Sequence, residues 1–155
     1  MDITIEIITE EEKKSDICRK VLFALPEWFG IEEATEEYID GVKGKQFLAA
    51  KIYDEFVGFY SIKDHFSETS EIYVCGVLPH FHRNGIGRLL QMETEKLLRA
   101  QNKRFLTVKT LSNSHPDKGY AGTRKFYQTQ GFIPLEVFTE LWGVDLPCLF
   151  LVKPL

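Results

Sequence analysis

The chain has 155 residues, of which 44% are hydrophobic and 13% aromatic, so it is long and apolar enough for a single ordinary globular domain over residues 1–155. Its 23 acidic residues outnumber its 19 basic ones and give a net charge of −4, which excludes broad electrostatic attraction to nucleic acid or to an anionic membrane. No apolar run is long enough to span a bilayer, and the N-terminus is acidic where a signal peptide would be basic, so we expect a cytoplasmic protein.

Hydrophobic periodicity predicts a mixed order of strands and helices. The first segment alternates apolar and polar residues as a half-buried strand does, and the next two carry apolar residues at helical spacing. The predicted elements, in chain order, are strand 2–8, helix 10–25, helix 31–42, strands 46–53, 56–63 and 69–77, helix 86–99, strand 105–111, helix 119–129, and strands 133–138 and 147–153. This order implies a mixed α/β sheet with helices on both faces.

The segment from Val77 to Arg88 joins a predicted strand to a predicted helix through a turn with two glycines. Such a helix start presents unpaired N–H groups and the positive end of the helix dipole, which suit a phosphate or pyrophosphate. Gly85 and Gly87 let the backbone approach an anion with no Cβ in the way. A dinucleotide fingerprint would need a small residue at Leu90, and a Walker loop would need Gly-Lys-Ser/Thr, so both motifs are excluded.

Two sequence motifs resemble those of the GCN5-related N-acetyltransferases, the GNAT family. Residues 82–87 resemble its Gln/Arg-x-x-Gly-x-Gly/Ala motif, with His82 where the family usually has Gln or Arg, and residues 126–132 resemble its FYxxxGF signature. The motifs occur in the family's order and at its usual separation, so the resemblance covers about residues 2–153. Residues 110–112 and Trp142 are similar to a bacterial branch of the family and do not identify a substrate.

The resemblance implies a particular sheet and a particular cofactor path. The GNAT fold has a central, mostly antiparallel seven-stranded sheet that splays between strands 4 and 5, with helices on both faces. The pantetheine arm of acetyl-coenzyme A enters this gap and pairs with the backbone near residues 75–77, as an added strand does. Because a glycine inside an apolar strand often marks a bulge, we expect a bulge at Cys75 and Gly76 whose freed N–H binds the thioester oxygen.

Acetyl-coenzyme A is therefore the expected cosubstrate, and no metal is expected. The predicted cofactor contacts, which lie at the strand end, in the glycine turn and on the last helix, are Cys75, Val77, His82, Arg83, Asn84, Gly85, Ile86, Gly87, Arg88 and Tyr120. The alternative for the charged and polar members of the turn is ordinary solvation of a helix start. Tyr120 stands where the family commonly has an asparagine that touches the pantetheine amides, so its hydroxyl either replaces that contact or the contact is lost.

Two residues are predicted to handle protons. Glu71 resembles the general base of histone-type family members, which acts through water, and the alternative is a solvated side chain at a strand end. Tyr127 aligns with the tyrosine that lies beside the cofactor sulfur and protonates the departing thiolate, and the alternative is a core tyrosine that packs with Phe126.

Other chemistry-bearing residues admit a functional and a structural interpretation. Trp28 and Phe29 either line the acceptor pocket or pack in the core. Cys75 is predicted to be a buried thiol instead of an acyl-accepting nucleophile, because direct transfer needs no covalent intermediate. The cysteines lack a C-x-x-C pair and the histidines lack metal-ligand spacing, which argues against a disulfide framework or a metal site: Cys18, Cys75 and Cys148, and His65, His80, His82 and His115.

The sequence thus predicts an acetyl-coenzyme A-dependent N-acetyltransferase that acts on a small-molecule or peptide amine. A non-catalytic acyl-coenzyme A sensor or a partner-binding module is the alternative. The retained Glu71 and Tyr127 favour the enzyme. Dimerisation is common in the resembled family, so a homodimer is an open expectation, and no sequence feature selects the acceptor.

Overall fold

The computed structural model describes residues 2–113 and 118–155, which contain seven strands and four α-helices. His115, one of the four histidines that lack metal-ligand spacing in the sequence, lies outside the described residues. The elements are β1 Ile3–Ile7, α1 Glu11–Phe23, α2 Glu32–Gly41, β2 Gln46–Ile52, β3 Glu55–Phe66, β4 Thr69–Val77, α3 Ile86–Ala100, β5 Phe105–Leu111, α4 Lys118–Thr129, β6 Ile133–Phe138 and β7 Cys148–Pro154. The kinds of element and their order match the sequence prediction, except that a short 3₁₀ turn, Pro79–Phe81, also precedes α3.

The strands form one seven-stranded sheet in the order β1-β2-β3-β4-β5-β7-β6. All neighbouring pairs are antiparallel except β4 and β5, which run parallel. A parallel pair needs a crossover, and α3 supplies it between β4 and β5. The predicted mixed sheet with a central parallel pair is therefore confirmed.

Helices cover the sheet on both faces, and each face has its own apolar core. The strand residues alternate between the two, as the two-residue period of a strand requires: Phe47 and Ala49 lie with α1 and α2, while Leu48 and Ala50 lie on the opposite face. The core on that opposite face includes α3 and α4 residues such as Leu90 and Tyr127. The sheet is thus the middle layer, with α1 and α2 on one side and α3 and α4 on the other.

The bulge in β4 lies at a different residue from the one predicted. Ser61 pairs with Val74 and Ile62 pairs with Ile72, so Tyr73 is the extra residue, whereas Cys75 and Gly76 pair regularly with β3. Gly76 has another physical reason: a Cβ there would come within 2.9 Å of Leu25 and 3.0 Å of Val21, so the glycine makes room for the end of α1. The glycine that suggested a bulge is a packing residue.

Candidate active site

A gap opens between β4 and β5 along the second half of each strand. Their parallel pairing runs from Thr69 with Phe105 to Ile72 with Val108 and then stops, although β4 continues to Val77 and β5 to Leu111. On the far side of the gap β5 stays paired with β7 through Leu111. The splayed strands therefore leave backbone edges in the sheet where an extended ligand can pair.

The glycine turn, residues 82–87, stands at the end of β4 beside this gap. Gly85 is the N-cap of α3 with φ of 79°, a left-handed conformation that favours glycine, and no side chain caps the helix. Within residues 2–113 and 118–155 no hydrogen-bond acceptor is found for the N–H groups of Ile86, Gly87 and Arg88. A Cβ on Gly85 would have no heavy atom within 4 Å, so the space beside the N-cap is open. The turn offers three donors and a helix dipole to an anion.

The two glycines of the turn have different structural roles. At Gly87 a Cβ would lie 3.1 Å from the ring of Phe126, so this glycine allows α4 to pack closely against the start of α3. The side chain of Ile86 points into the core and is 1% exposed, which leaves its backbone as the part able to meet a ligand. The turn is therefore held in place by packing on one side and is open on the other.

The other side chains of the turn differ in their engagement. The His82 Nε2 lies 2.7 Å from the carbonyl oxygen of Val77, which ties the turn to the end of β4. Asn84 donates to the His82 carbonyl at 3.3 Å. Arg83, with φ of 64°, and Arg88 are exposed, and the described part of the chain contains no carboxylate paired with either. Two guanidinium groups are thus available beside the amides for a phosphate.

The bulge at Tyr73 places Glu71 and Cys75 on opposite faces of the sheet, and Tyr127 of α4 lies on the Cys75 face. Ile72 belongs to the core on the α3 and α4 face, whereas Tyr73 and Val74 both lie with α1 and α2. The extra residue resets the alternation, so Cys75 returns to the α3 and α4 face while Glu71, adjacent to Ile72, lies on the other. A proton acceptor and a proton donor can thus reach the gap from opposite faces of the sheet.

Glu71 is buried, not solvated at a strand end. It is 7% exposed, and its two carboxylate oxygens have different cationic or hydrogen-bonding partners. Lys109 of β5 donates to Oε2 at 2.8 Å, and His65 Nε2 lies 2.7 Å from Oε1. These partners compensate the desolvation of the carboxylate, as a buried charge requires. The Lys109 and His65 side chains remain 30% and 35% exposed, so the cluster reaches solvent.

The Tyr127 ring packs in the core, and its hydroxyl meets a polar atom. The ring makes edge contacts with Phe126 and Phe132 at centroid distances of 5.5 and 5.4 Å. The hydroxyl oxygen lies 3.1 Å from the Cys75 sulfur. Burial raises the pKa of Tyr127 well above its usual value of 10.0, and burial also raises the pKa of Cys75 to about 11, so both groups carry their protons at neutral pH.

Trp28 connects three parts of the site. Its indole N–H donates to Thr123 Oγ1 at 3.1 Å, and its carbonyl accepts from the Tyr120 hydroxyl at 2.8 Å. Its ring meets the His82 ring edge-on at 5.9 Å. Tyr120, predicted to touch pantetheine, thus contacts the loop between α1 and α2. Phe29 packs edge-on against Tyr38 of α2 at 6.0 Å, so its structural role is core packing.

Sequence reasoning missed three residues that shape the site. Lys109 and His65 were not connected to Glu71, and Arg124 of α4 donates to the Leu111 carbonyl at 2.8 Å, which holds the splayed end of β5. Lys109 lies two residues after Thr107, which pairs with Glu71, so strand alternation puts it on the Glu71 side of β5 once that register is known. No sequence pattern marks His65, since it is the extra residue of a second irregularity between β3 and β4.

Among residues 2–113 and 118–155, none of the helices has the length and apolar composition of a membrane span. The same ranges contain no group of three or more His, Cys, Asp or Glu side chains placed to hold a metal ion.

Comparison with known proteins identifies the family. The sequence model of the Acetyltransferase (GNAT) family matches residues 15–132, more than half of the chain. The chain therefore belongs to the GNAT family of acetyltransferases, as its two motifs predicted. A search of curated protein sequences found no match.

Solved structures of the same fold cover nearly the whole chain. A protein from Desulfovibrio desulfuricans described as belonging to the GNAT family matches with a TM-score of 0.83 at 20% identity, over 99% of both chains. A GNAT family acetyltransferase from Elizabethkingia anophelis, solved with acetyl-CoA bound, matches with a TM-score of 0.72 at 21% identity, over 99% of this chain and 98% of that one. The aminoglycoside 6'-N-acetyltransferase from Enterococcus faecium matches with a TM-score of 0.72 at 17% identity, over 97% and 96%. These likenesses confirm the predicted fold.

Proposed function

We propose that this protein transfers an acetyl group from acetyl-coenzyme A to a primary amine by direct transfer in a ternary complex. The observation that carries the proposal is the open gap between β4 and β5, which has uncapped helix amides at one end and Glu71 and Tyr127 on opposite faces of the sheet. Membership of the GNAT family supports acyl transfer. The acetyl-CoA bound to the E. anophelis structure supports the donor, and the aminoglycoside acetyltransferase supports an amine acceptor.

The donor fits the groups that the turn presents. The N–H groups of Ile86, Gly87 and Arg88, together with the Arg83 and Arg88 side chains, would hold the pyrophosphate. The β4 backbone over residues 75–77 would pair with the pantetheine arm. Acetyl-coenzyme A supplies an activated acetyl thioester. We propose that the backbone N–H of Tyr73 donates to the carbonyl oxygen of this thioester, because Tyr73 has no paired residue on either neighbouring strand.

Glu71 is the proposed proton acceptor. A primary amine such as a lysine side chain is mostly protonated at neutral pH, with a pKa of about 10.4, and only its neutral form attacks a thioester. Both carboxylate oxygens of Glu71 already accept hydrogen bonds from Lys109 and His65, so we propose that the proton reaches the carboxylate through a water molecule. The partly exposed His65 side chain gives the cluster its contact with solvent.

Tyr127 is the proposed proton donor to the departing coenzyme thiolate. Its burial keeps the phenol protonated before the step, and the same burial opposes its ionisation, so the transfer requires a hydrogen bond that stabilises the phenolate. The hydroxyl lies on the face opposite Glu71, so the amine and the leaving sulfur would be served by different groups.

Amine-dependent release of free thiol from acetyl-coenzyme A tests this function. A panel of a polyamine, an aminoglycoside, an amino acid and a peptide N-terminus should contain at least one acceptor that releases thiol at a rate proportional to enzyme. Tight binding of coenzyme A in isothermal titration, with no amine-dependent release across the panel, would instead support the acyl-coenzyme A sensor. Burial raises the pKa of Cys18 to about 12 and that of Cys148 to about 11, so these thiols should react slowly with the detecting reagent.

Cytoplasmic location, a single domain over residues 1–155 and a homodimer stay predictions. Trp28 remains the better placed of the two proposed acceptor-site aromatics, because it borders both the turn and α4.

A further inference from the structure

Cys75 is the polar contact of the Tyr127 hydroxyl. The sulfur and the oxygen lie 3.1 Å apart, and the described residues provide no other hydrogen-bond partner for that hydroxyl. The neighbouring Tyr60, which pairs with Cys75 across β3 and β4, is committed elsewhere, because its hydroxyl donates to Gln91 at 2.9 Å. The proposed leaving-group acid therefore depends on one thiol for its orientation.

The surroundings of this pair are apolar. Tyr127 belongs to the core on the α3 and α4 face, and Cys75 packs against the same core with residues such as Val77 and Phe126. An alanine or valine at position 75 would also suit these apolar surroundings. The thiol differs from an aliphatic side chain in that it can form a hydrogen bond.

We propose that Cys75 is a positioning residue for the leaving-group step: its S–H donates to the Tyr127 oxygen and so aims the phenolic O–H at the sulfur of the coenzyme. This inference rests on the proposed function. After the amine has formed its C–N bond to the acyl carbon, the C–S bond of the tetrahedral intermediate breaks as the carbonyl re-forms to give the amide. The Tyr127 O–H bond breaks at the same time, and an S–H bond forms on coenzyme A. The phenolate left on Tyr127 is stabilised by the Cys75 S–H until solvent returns a proton when the products leave.

Either atom of this pair can donate. Burial raises the pKa of Cys75 to about 11, so the thiol is protonated and able to act as the donor. The thiol therefore has a proton to donate at neutral pH and is a poor nucleophile, which fits an orienting role better than covalent catalysis.

A double-mutant cycle with Tyr127→Phe tests the proposal. Cys75→Ala should lower kcat about tenfold, the loss of roughly one neutral hydrogen bond, with little change in the dissociation constant of coenzyme A from isothermal titration. Cys75→Ser, which keeps a donor, should recover most of the rate. In the Tyr127→Phe background neither substitution should change the residual rate, because the hydroxyl through which Cys75 acts is gone.

The cycle also defines what would overturn the proposal. An equal rate loss from Cys75→Ala in both backgrounds would show a packing effect, and an unchanged rate in the wild-type background would show no role. An acetyl group found on Cys75 by mass spectrometry of the quenched reaction would make the thiol a nucleophile instead.

A measurement without turnover keeps the test independent of the proposed function. With tyrosine labelled by carbon-13 at Cζ, the NMR signal that disappears in Tyr127→Phe belongs to Tyr127. It should shift in Cys75→Ala and return toward its wild-type position in Cys75→Ser, and an unmoved signal would contradict the contact. Failure of the proposed function would appear differently, as no amine-dependent thiol release from the wild-type protein.

Discussion

Single side chains in this site are held by partners from other strands. The Glu71 carboxylate on β4 accepts from Lys109 on β5 and meets His65 at the end of β3, so three strands converge on one buried charge. Removing one member of a buried ion pair leaves the other charge desolvated and unpaired, which destabilises more than the loss of a surface pair.

Replacement of Lys109 tests whether the Glu71 cluster behaves as a buried pair. Lys109→Met should lower the free energy of unfolding by about 1–3 kcal/mol, less than a fully buried pair because the lysine is partly exposed. Lys43→Met is the matched control, since its amine pairs with exposed Glu12 at 3.3 Å and should cost less than ~1 kcal/mol. Urea denaturation measures both. Adding Glu71→Gln to Lys109→Met should recover part of the loss, and equal costs for the two lysine variants would contradict the account.

The sequence predicted the residues of the site better than their partners. Glu71 and Tyr127 could be found because they stand at fixed positions within recognisable motifs. The contacts of Glu71 depend on the register between β3, β4 and β5 and on two irregularities in the first pairing, at Tyr73 and His65, which no local pattern specifies. Similarly, the partner of Tyr120 on a loop distant in the chain could not be read from Tyr120 alone.

At the scale of elements, the loop between α1 and α2 crosses from one side of the site to the other. Trp28 hydrogen-bonds with Thr123 and Tyr120 on α4, and its ring meets His82 in the glycine turn. The loop is thus held to both α4 and the glycine turn, although loops are commonly the least stable parts of a fold.

Removal of the Trp28 indole N–H tests whether this hydrogen bond holds the loop against α4. Trp28→Phe keeps an aromatic ring but loses the hydrogen bond to Thr123, so amide hydrogen exchange over residues 24–31 should speed up about 3- to 10-fold, the worth of one net hydrogen bond. Exchange followed by mass spectrometry measures the effect.

A second variant checks the assignment of that hydrogen bond. Thr123→Val removes the same bond from its acceptor side and should produce a similar increase in the same segment. Exchange that stays at the wild-type rate in both variants would show that the loop is not held by this contact.

The order and type of the elements were predictable because the apolar periodicity is strong. Two local features were not predictable, namely the position of the bulge in β4 and the structural reason for Gly76. The bulge that lies at Tyr73 was predicted at Cys75 and Gly76, and Gly76 in fact makes room for Val21 and Leu25 of α1 and its following turn. Such a tertiary reason for a glycine cannot be distinguished from a backbone reason in a single sequence.

At the scale of the molecule, the two faces of the sheet are stabilised separately and the α3 and α4 face contains a charged link. Glu95 of α3 accepts from Lys153 of β7 at 2.6 Å, from Gln91 at 2.8 Å and from Arg99 at 3.0 Å. Burial by itself raises the pKa of Glu95, but these hydrogen bonds and the charges of Lys153 and Arg99 outweigh it and lower the pKa below its usual value of 4.5.

The lowered pKa predicts an acid-dependent loss of stability. A carboxylate whose pKa is depressed by folding contributes stability that is present above its unfolded pKa of about 4.3 and is lost as the pH falls through the folded value. Glu95→Gln should therefore lower Tm at pH 7 and make Tm less sensitive to pH over roughly pH 5 to 3. Glu93→Gln, exposed on the same helix, is the control and should keep the wild-type profile. Parallel profiles for Glu95→Gln and the wild type would contradict the prediction.

The central claim for the whole molecule is that backbone N–H groups at the start of α3 bind the pyrophosphate of coenzyme A. Proline at position 88 removes one of these donors without removing an intrahelical hydrogen bond, because this N–H in the first turn has no acceptor in the helix. Arg88→Ala is the matched control, since it removes the same side-chain charge and keeps the N–H.

Isothermal titration with coenzyme A, on variants whose circular dichroism matches the wild type, compares the two substitutions directly. Arg88→Ala should weaken binding only a few-fold, as expected for an exposed charge. Arg88→Pro should weaken it by roughly a further 10- to 100-fold, the loss of one hydrogen bond to a charged group. Equal affinities for Arg88→Pro and Arg88→Ala would contradict the assignment of the pyrophosphate to these amides.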